Sequence, residues 1–71
     1  MESVSIHSEY ITLGQLLKKL NLLGTGGQVK HFLSENRVTV NGEPEMRRGR
    51  KIYPQDCVDI PGFGSVYLTR E

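Results

Sequence analysis

Four of the five residues from 47 to 51 are cationic: Arg47, Arg48, Arg50 and Lys51, interrupted only by Gly49. Their chemistry is anion binding. Arginine suits phosphate in particular, because its planar fork donates two parallel hydrogen bonds, and the intervening glycine lets a backbone come close. A plainer reading stands beside this one, since cations along an exposed strand edge also keep it from pairing with other chains. Further anion-binding groups lie upstream. Thr25-Gly26-Gly27 opens a helix whose unpaired N–H groups attract phosphate, although capping is the first role of Thr25. Lys30 and His31 fall on the polar face of that helix. Catalytic chemistry is poorly served. Glu43 and Glu45 flank Pro44 beside the four cations, where a salt-bridging or solubilising role fits better than a pair of acid–base carboxylates. Gly24-Thr25-Gly26-Gly27 lacks the spacing and the Lys-Ser/Thr of a P-loop. No nucleophile, base and orienting group occur as a set, so no enzymatic activity is expected.

Length sets the frame. A chain of 71 residues makes one domain, and at that size only about three-fifths of the unfolded surface is buried. A core leaves no room for a deep pocket, and no small-molecule substrate or cofactor is expected. An apolar fraction of 37% and a charged fraction of 24% fit an ordinary globular chain. Net charge is only +1, yet four of the nine Lys/Arg fall in residues 47 to 51. Local asymmetry of this kind is compatible with a nucleic-acid face on a near-neutral protein.

Cys57 is alone, so it forms no internal disulfide and no thiolate cluster. It reads as a small core or strand residue in a reducing compartment. His31 has His7 as its one histidine partner, in a different element, so no metal site is expected. No secretion leader and no apolar run of about 18 residues is present. The expectation is a cytoplasmic protein, whole as given, monomeric and away from membranes.

The elements that must position these groups are legible in turn. Residues 4 to 11 alternate loosely and read as a short edge strand with a lead-in. Thr12-Leu13-Gly14-Gln15 is a capping box. Leu13, Leu16, Leu17 and Leu20 follow as one apolar stripe, with Lys18 and Lys19 pointing away from it. That helix ends near Asn21. The start signal recurs at Thr25-Gly26-Gly27-Gln28, ahead of a stripe of Val29, Phe32 and Leu33. Asn36 sits where a left-handed residue would end the second helix. Val38-Thr39-Val40 alternates, and Asn41-Gly42 is a strong hairpin signal. Met46 to Tyr53 reads as an irregular strand weakened by Gly49. Pro54-Gln55-Asp56 reads as a turn, with strands at Val58-Asp59-Ile60 and Val66-Tyr67-Leu68. Tyr53, Phe63 and Tyr67 read as core or edge residues. The fold class is α+β: two short helices packed on a small, mostly antiparallel sheet. The expected core joins the two helical stripes to Val38 or Val40 and to Ile60.

A capped helix, then V-x-V-N-G at Val38 to Gly42, then a basic stretch and a P-x-D turn together resemble the S4 RNA-binding domain. The resemblance runs from about Thr12 to Ile60. Thr25 stands for the family's helix-start Ser and Gly26 for the Arg that follows it. Val29-Lys30 stands for an Ala-Arg pair, Asn36 for a Gly, and Gln55-Asp56 for a Gly-Asp. A free-standing domain of this length, with E-P-E-M-R-R-G-R-K after the turn, is most similar to the small bacterial YaaA/YbcJ-like group. The resemblance implies an S4-like α-L motif. It implies binding of structured RNA, plausibly ribosomal RNA or a ribosomal particle during ribosome maturation, with no reaction. The expected RNA-binding residues are Thr25, Lys30, His31, Arg37, Arg47, Arg48, Arg50 and Lys51. Side chains alternate along a strand, so two or three of the four clustered cations are expected to make contact: Arg48 and Arg50, with Arg47 or Lys51 brought round by a bend at Gly49. The other reading of the basic stretch is a protein-interaction module that docks an acidic partner.

Overall fold

Two Thr-x-x-Gln boxes start the two helices as the spacing predicts. The computed structural model describes residues 2–71. Strands β1 (Glu2–Ile6) and β2 (Ile11–Thr12) lead into helix α1 (Leu13–Lys19), and α2 (Gly26–Glu35) follows. In each box the Thr side chain accepts from the N3 backbone and the Gln side chain accepts from the N-cap backbone, at Thr12/Gln15 and Thr25/Gln28. Five strands complete the chain: β3 (Thr39–Val40), β4 (Glu43–Pro44), β5 (Lys51–Ile52), β6 (Cys57–Ile60) and β7 (Gly64–Arg70).

The main sheet has the order β1-β7-β6-β3-β4, and β2 pairs separately with β5. All pairings are antiparallel except β1 with β7, which is parallel. Alternation puts Val4, Ile6, Val40, Val58, Ile60, Val66 and Leu68 on the buried face, where they join Leu13, Leu16, Leu17, Val29 and Leu33 of the helices. Cys57, Asp59 and Ser65 lie on the other face, so Cys57 is a half-buried strand residue outside the core. The Asn41-Gly42 turn has both residues at positive φ, 52° and 85°, the pairing a type I′ hairpin demands. Asn41 also holds the start of β6, the other neighbour of β3: its Nδ2 donates to Asp56 at 3.0 Å, and its Oδ1 accepts from the Cys57 N–H at 2.9 Å.

Several expectations are corrected. Asn36 ends α2 in an extended conformation, φ −126° and ψ 140°. The chain must run straight on into β3, and the Asn36 side chain instead donates to the Phe32 carbonyl at 3.0 Å. The left-handed helix stop belongs to Asn21, at φ 61°. There the Leu22 N–H bonds the Leu17 carbonyl and the Asn21 N–H bonds the Lys18 carbonyl, the two bonds of a Schellman motif. Phe32 and Leu20 are only partly buried, at the rim of the core. Val38 and Val40 are both buried, since residues two apart along an extended chain share a face. Residues 46 to 50 form a turn and loop, with strand pairing only at Lys51–Ile52. Among the described residues no helix is long and apolar enough to cross a membrane.

The burial order sets a test of packing. Leu17 is fully buried, so Leu17→Ala should cost about 2–5 kcal/mol. Phe32→Ala should cost less, since its ring keeps part of its exposure. Urea unfolding of both variants checks this, and an equal or larger loss at Phe32 would place that ring inside the core.

Candidate functional site

The basic loop is built around one carboxylate. Glu45 is the sole charged side chain buried among the described residues, at 7% exposure. Its Oε2 accepts from the Met46 N–H at 3.1 Å and from the Arg47 N–H and Nε at 3.0 Å each. Its Oε1 accepts from Arg47 Nη2 at 3.1 Å and Arg50 Nη1 at 2.8 Å. The Arg47 side-chain bonds, then its backbone N–H, hold the Glu45 pKa down to about 2, against an ordinary 4.5. Arg47 is shifted up in turn by its hydrogen bond to Glu45. Each carboxylate oxygen is thus satisfied by charge-assisted bonds, which makes the burial tolerable.

The loop so shaped turns back on α1. The Arg50 carbonyl accepts from the Leu13 N–H at 2.8 Å, and the Arg48 carbonyl from the Gly14 N–H at 2.9 Å. The approach is close at Gly14: a Cβ there would just touch Arg48, 3.4 Å from both its Cβ and its carbonyl oxygen. The first N–H groups of α1 are therefore consumed inside the fold. Those of α2 are not, since Gly26 and Gly27 have no backbone or side-chain acceptor for their N–H groups among the described residues. Arg48 reaches over to that end, its Nη1 donating to the Gly26 carbonyl at 3.3 Å. A Cβ on residue 26 would stand 3.0 Å from this guanidinium. Arg48 thus puts a guanidinium beside the position where the resemblance lacks one, Gly26.

A cleft of about 260 Å³ results, lined by Thr12, Gly14, Gln15, Lys18, Gly26, Val29, Arg48 and Gly49. Sequence reasoning missed Lys18, which it placed on a solvated face. The signal lay in Gly14, a glycine one helical turn earlier that marks where the loop closes on α1. Thr25 caps α2 at the cleft's edge. Lys30 is exposed, one turn beyond Gly26 on the same side of α2. His31 points elsewhere, into a shallow groove with Leu23, Gly27, Phe32 and Glu35. Arg37 is exposed beside Pro44, Glu45 and Met46. The four clustered cations divide. Among the described residues Arg48 and Lys51 are exposed and carry no ion pair, Arg47 is exposed but paired with Glu45, and Arg50 is paired and about one-third exposed.

Glu45→Gln should cost about 1.5–3 kcal/mol at neutral pH, the value of hydrogen bonds to a charged group. A carboxyl whose folded pKa is depressed stabilises fully above its ordinary value, and that stability is lost as pH falls through the folded value. For Glu45 the loss spans 4.5 down to about 2. Urea titrations from about pH 6 to about pH 3 should show the native chain losing more stability than the Gln variant. Parallel losses would mean that Glu45 does not hold the loop.

Comparison with known proteins matches this architecture. The family model described as S4 domain aligns with residues 4–67, more of the chain than the helix-to-strand motif alone. A relative from Bacillus subtilis (strain 168), "Probable ribosome maturation protein RlbA", is 56% identical over 66 residues, which cover 93% of each chain. On the extent of that alignment, from the first strand to the last, the chain belongs to the S4 domain family.

Proposed function

We propose that the chain is a non-catalytic module that binds structured RNA, and that its target is ribosomal RNA or a ribosomal particle during maturation. One observation carries the reading: exposed Arg48, Lys18 and the open N-terminus of α2 converge on one cleft. Phosphate fits all three groups, since a guanidinium, an ammonium and free backbone N–H groups each donate to its oxygens. Lys51 and Lys30 extend the same charge outward. The task written in the name of the Bacillus subtilis relative agrees with such a surface.

Binding of this kind rests on backbone contacts. A-form RNA hides its base edges in a deep, narrow major groove, so shape and phosphate position select the target. Affinity follows counterion release and falls with salt. The loop's built-in ion pairs temper it. Arg47 and Arg50 already face Glu45, so Arg48, Lys51, Lys18 and Lys30 are the cations with most to gain from a phosphate. Thr25 serves by capping the helix that presents its N–H groups.

Affinity for a ribosomal RNA fragment, titrated over a range of salt, tests the reading. Arg48→Gln and Lys18→Gln should each flatten the slope of log affinity against log salt by about 0.7–0.9. Melting should change little, because exposed charges add little to stability. His31→Gln, on the other side of α2, should leave the slope unchanged. Unchanged slopes in the first two variants, with the proteins still folded, would remove RNA from this cleft and favour an acidic protein partner.

A further inference from the structure

Two of the chain's three tyrosines meet at the edge of the basic loop, outside the cleft just described. Tyr10 immediately precedes β2 and Tyr53 immediately follows β5, and the Ile11–Ile52 pairing sets them side by side. Their ring centroids are 5.6 Å apart with planes inclined at 47°. Lys51 Nζ sits over the Tyr10 ring, 5.0 Å from its centroid. Both rings remain in solvent, at 36% and 43% exposure, and they are two of the four large hydrophobic side chains the described surface exposes.

The platform is rigid on one side. The Tyr53 N–H donates to Asp56 Oδ2 at 2.8 Å, and the Tyr53 carbonyl accepts from the Asp56 N–H at 3.0 Å. Asp56 is itself fixed by Asn41 Nδ2 at 3.0 Å and by its carbonyl's bond from the Leu68 N–H at 3.1 Å. Cations flank the rings on both sides. Tyr53 borders a hollow with Lys51, Arg50, Gly49 and Arg47. Tyr10 borders another with Lys18 and Lys19, where Glu9 is the one acidic neighbour. An exposed aromatic face between two cation-lined hollows matches one ligand chemistry: a flat base with a phosphate before it and a phosphate after it.

We propose that Tyr53, backed by Tyr10, is a stacking platform for an unpaired RNA base whose neighbouring phosphates lie against Lys51 on one side and Lys18 and Lys19 on the other. The 47° inclination allows a flat base onto one ring only. Tyr53 offers the free face, because Lys51 occupies a face of Tyr10. A base inside a duplex has both faces covered by its neighbours, so the platform selects a single-stranded nucleotide next to the structured part of the target. The site rests on the RNA reading of the adjoining cleft and adds to it a preference for a junction between paired and unpaired RNA.

Hexaadenylate and an abasic hexamer with the same phosphates separate stacking from charge. The native chain should bind hexaadenylate roughly tenfold more tightly than the abasic hexamer, the effect of one stacked base. Tyr53→Leu should erase that difference, Tyr53→Phe should keep it, and all three proteins should bind the abasic hexamer alike. In the native chain, hexaadenylate should move the Tyr53 ring-proton resonances upfield and the abasic hexamer should not, a readout that needs no variant to fold. Equal binding of the two hexamers, or unmoved Tyr53 resonances, overturns the platform. If a ribosomal RNA fragment binds while neither hexamer does, the platform falls and the cleft reading stands. If no RNA binds, both fall.

Discussion

Glu45 is buried among groups that all donate to it, and the basic loop has its shape because of that convergence. Two backbone N–H groups and two guanidinium groups meet on its two oxygens. Without a carboxylate there, Arg47 and Arg50 would repel each other across a tight turn. With it, residues 46 to 50 fold back far enough for the Arg48 and Arg50 carbonyls to reach α1. The position of Arg48 over α2 depends on the same turn. A buried carboxylate is thus what lets four cations share a loop in so small a domain, where a large core is not available to hold a loop by packing.

The loop treats the two helix starts differently. Both have a Thr cap and a Gln partner in the same box. At α1 the remaining N–H groups are bound by loop carbonyls, so its positive end is spent on the fold. At α2 they face outward beside a guanidinium. Two identical local signals therefore end with opposite roles, one structural and one available, and a residue far along the chain decides which. Gly14 and Gly26 are the positions where Arg48 comes up against the two helix starts.

Local signals were legible. The capping boxes, the helical stripes, the Asn41-Gly42 turn and the strand at Val58 to Ile60 could all be read because each depends on residues within one turn or one hairpin. What could not be read depends on partners distant in sequence. Asn36 and Asn21 look alike as helix stops, and only the direction of the following chain separates them. The stretch from Met46 to Tyr53 has strand-like composition, but Glu45 draws it into a turn. The charge cluster was visible, whereas its division into paired Arg47 and Arg50 and unpaired Arg48 and Lys51 was not, since it rests on which guanidinium reaches a buried oxygen. Lys18 and the Tyr10–Tyr53 pair escaped for the same reason: α1 meets the loop, and β2 meets β5, across some forty residues of chain.

The parallel pair of β1 and β7 has a consequence for how the molecule comes into being. Its register joins residue 2 to residue 66 and residue 6 to residue 70. Nearly the whole chain is the loop that this ladder closes, so its entropy of closure is met only after the intervening elements have collapsed. During synthesis from the N-terminus, β1 emerges first and waits for its mate until residue 70 is out. Val4 and Ile6, which end up in the core, stay uncovered throughout that interval. The first strand of the domain is thus the last to be secured, and the sheet is complete only once β7 has joined it.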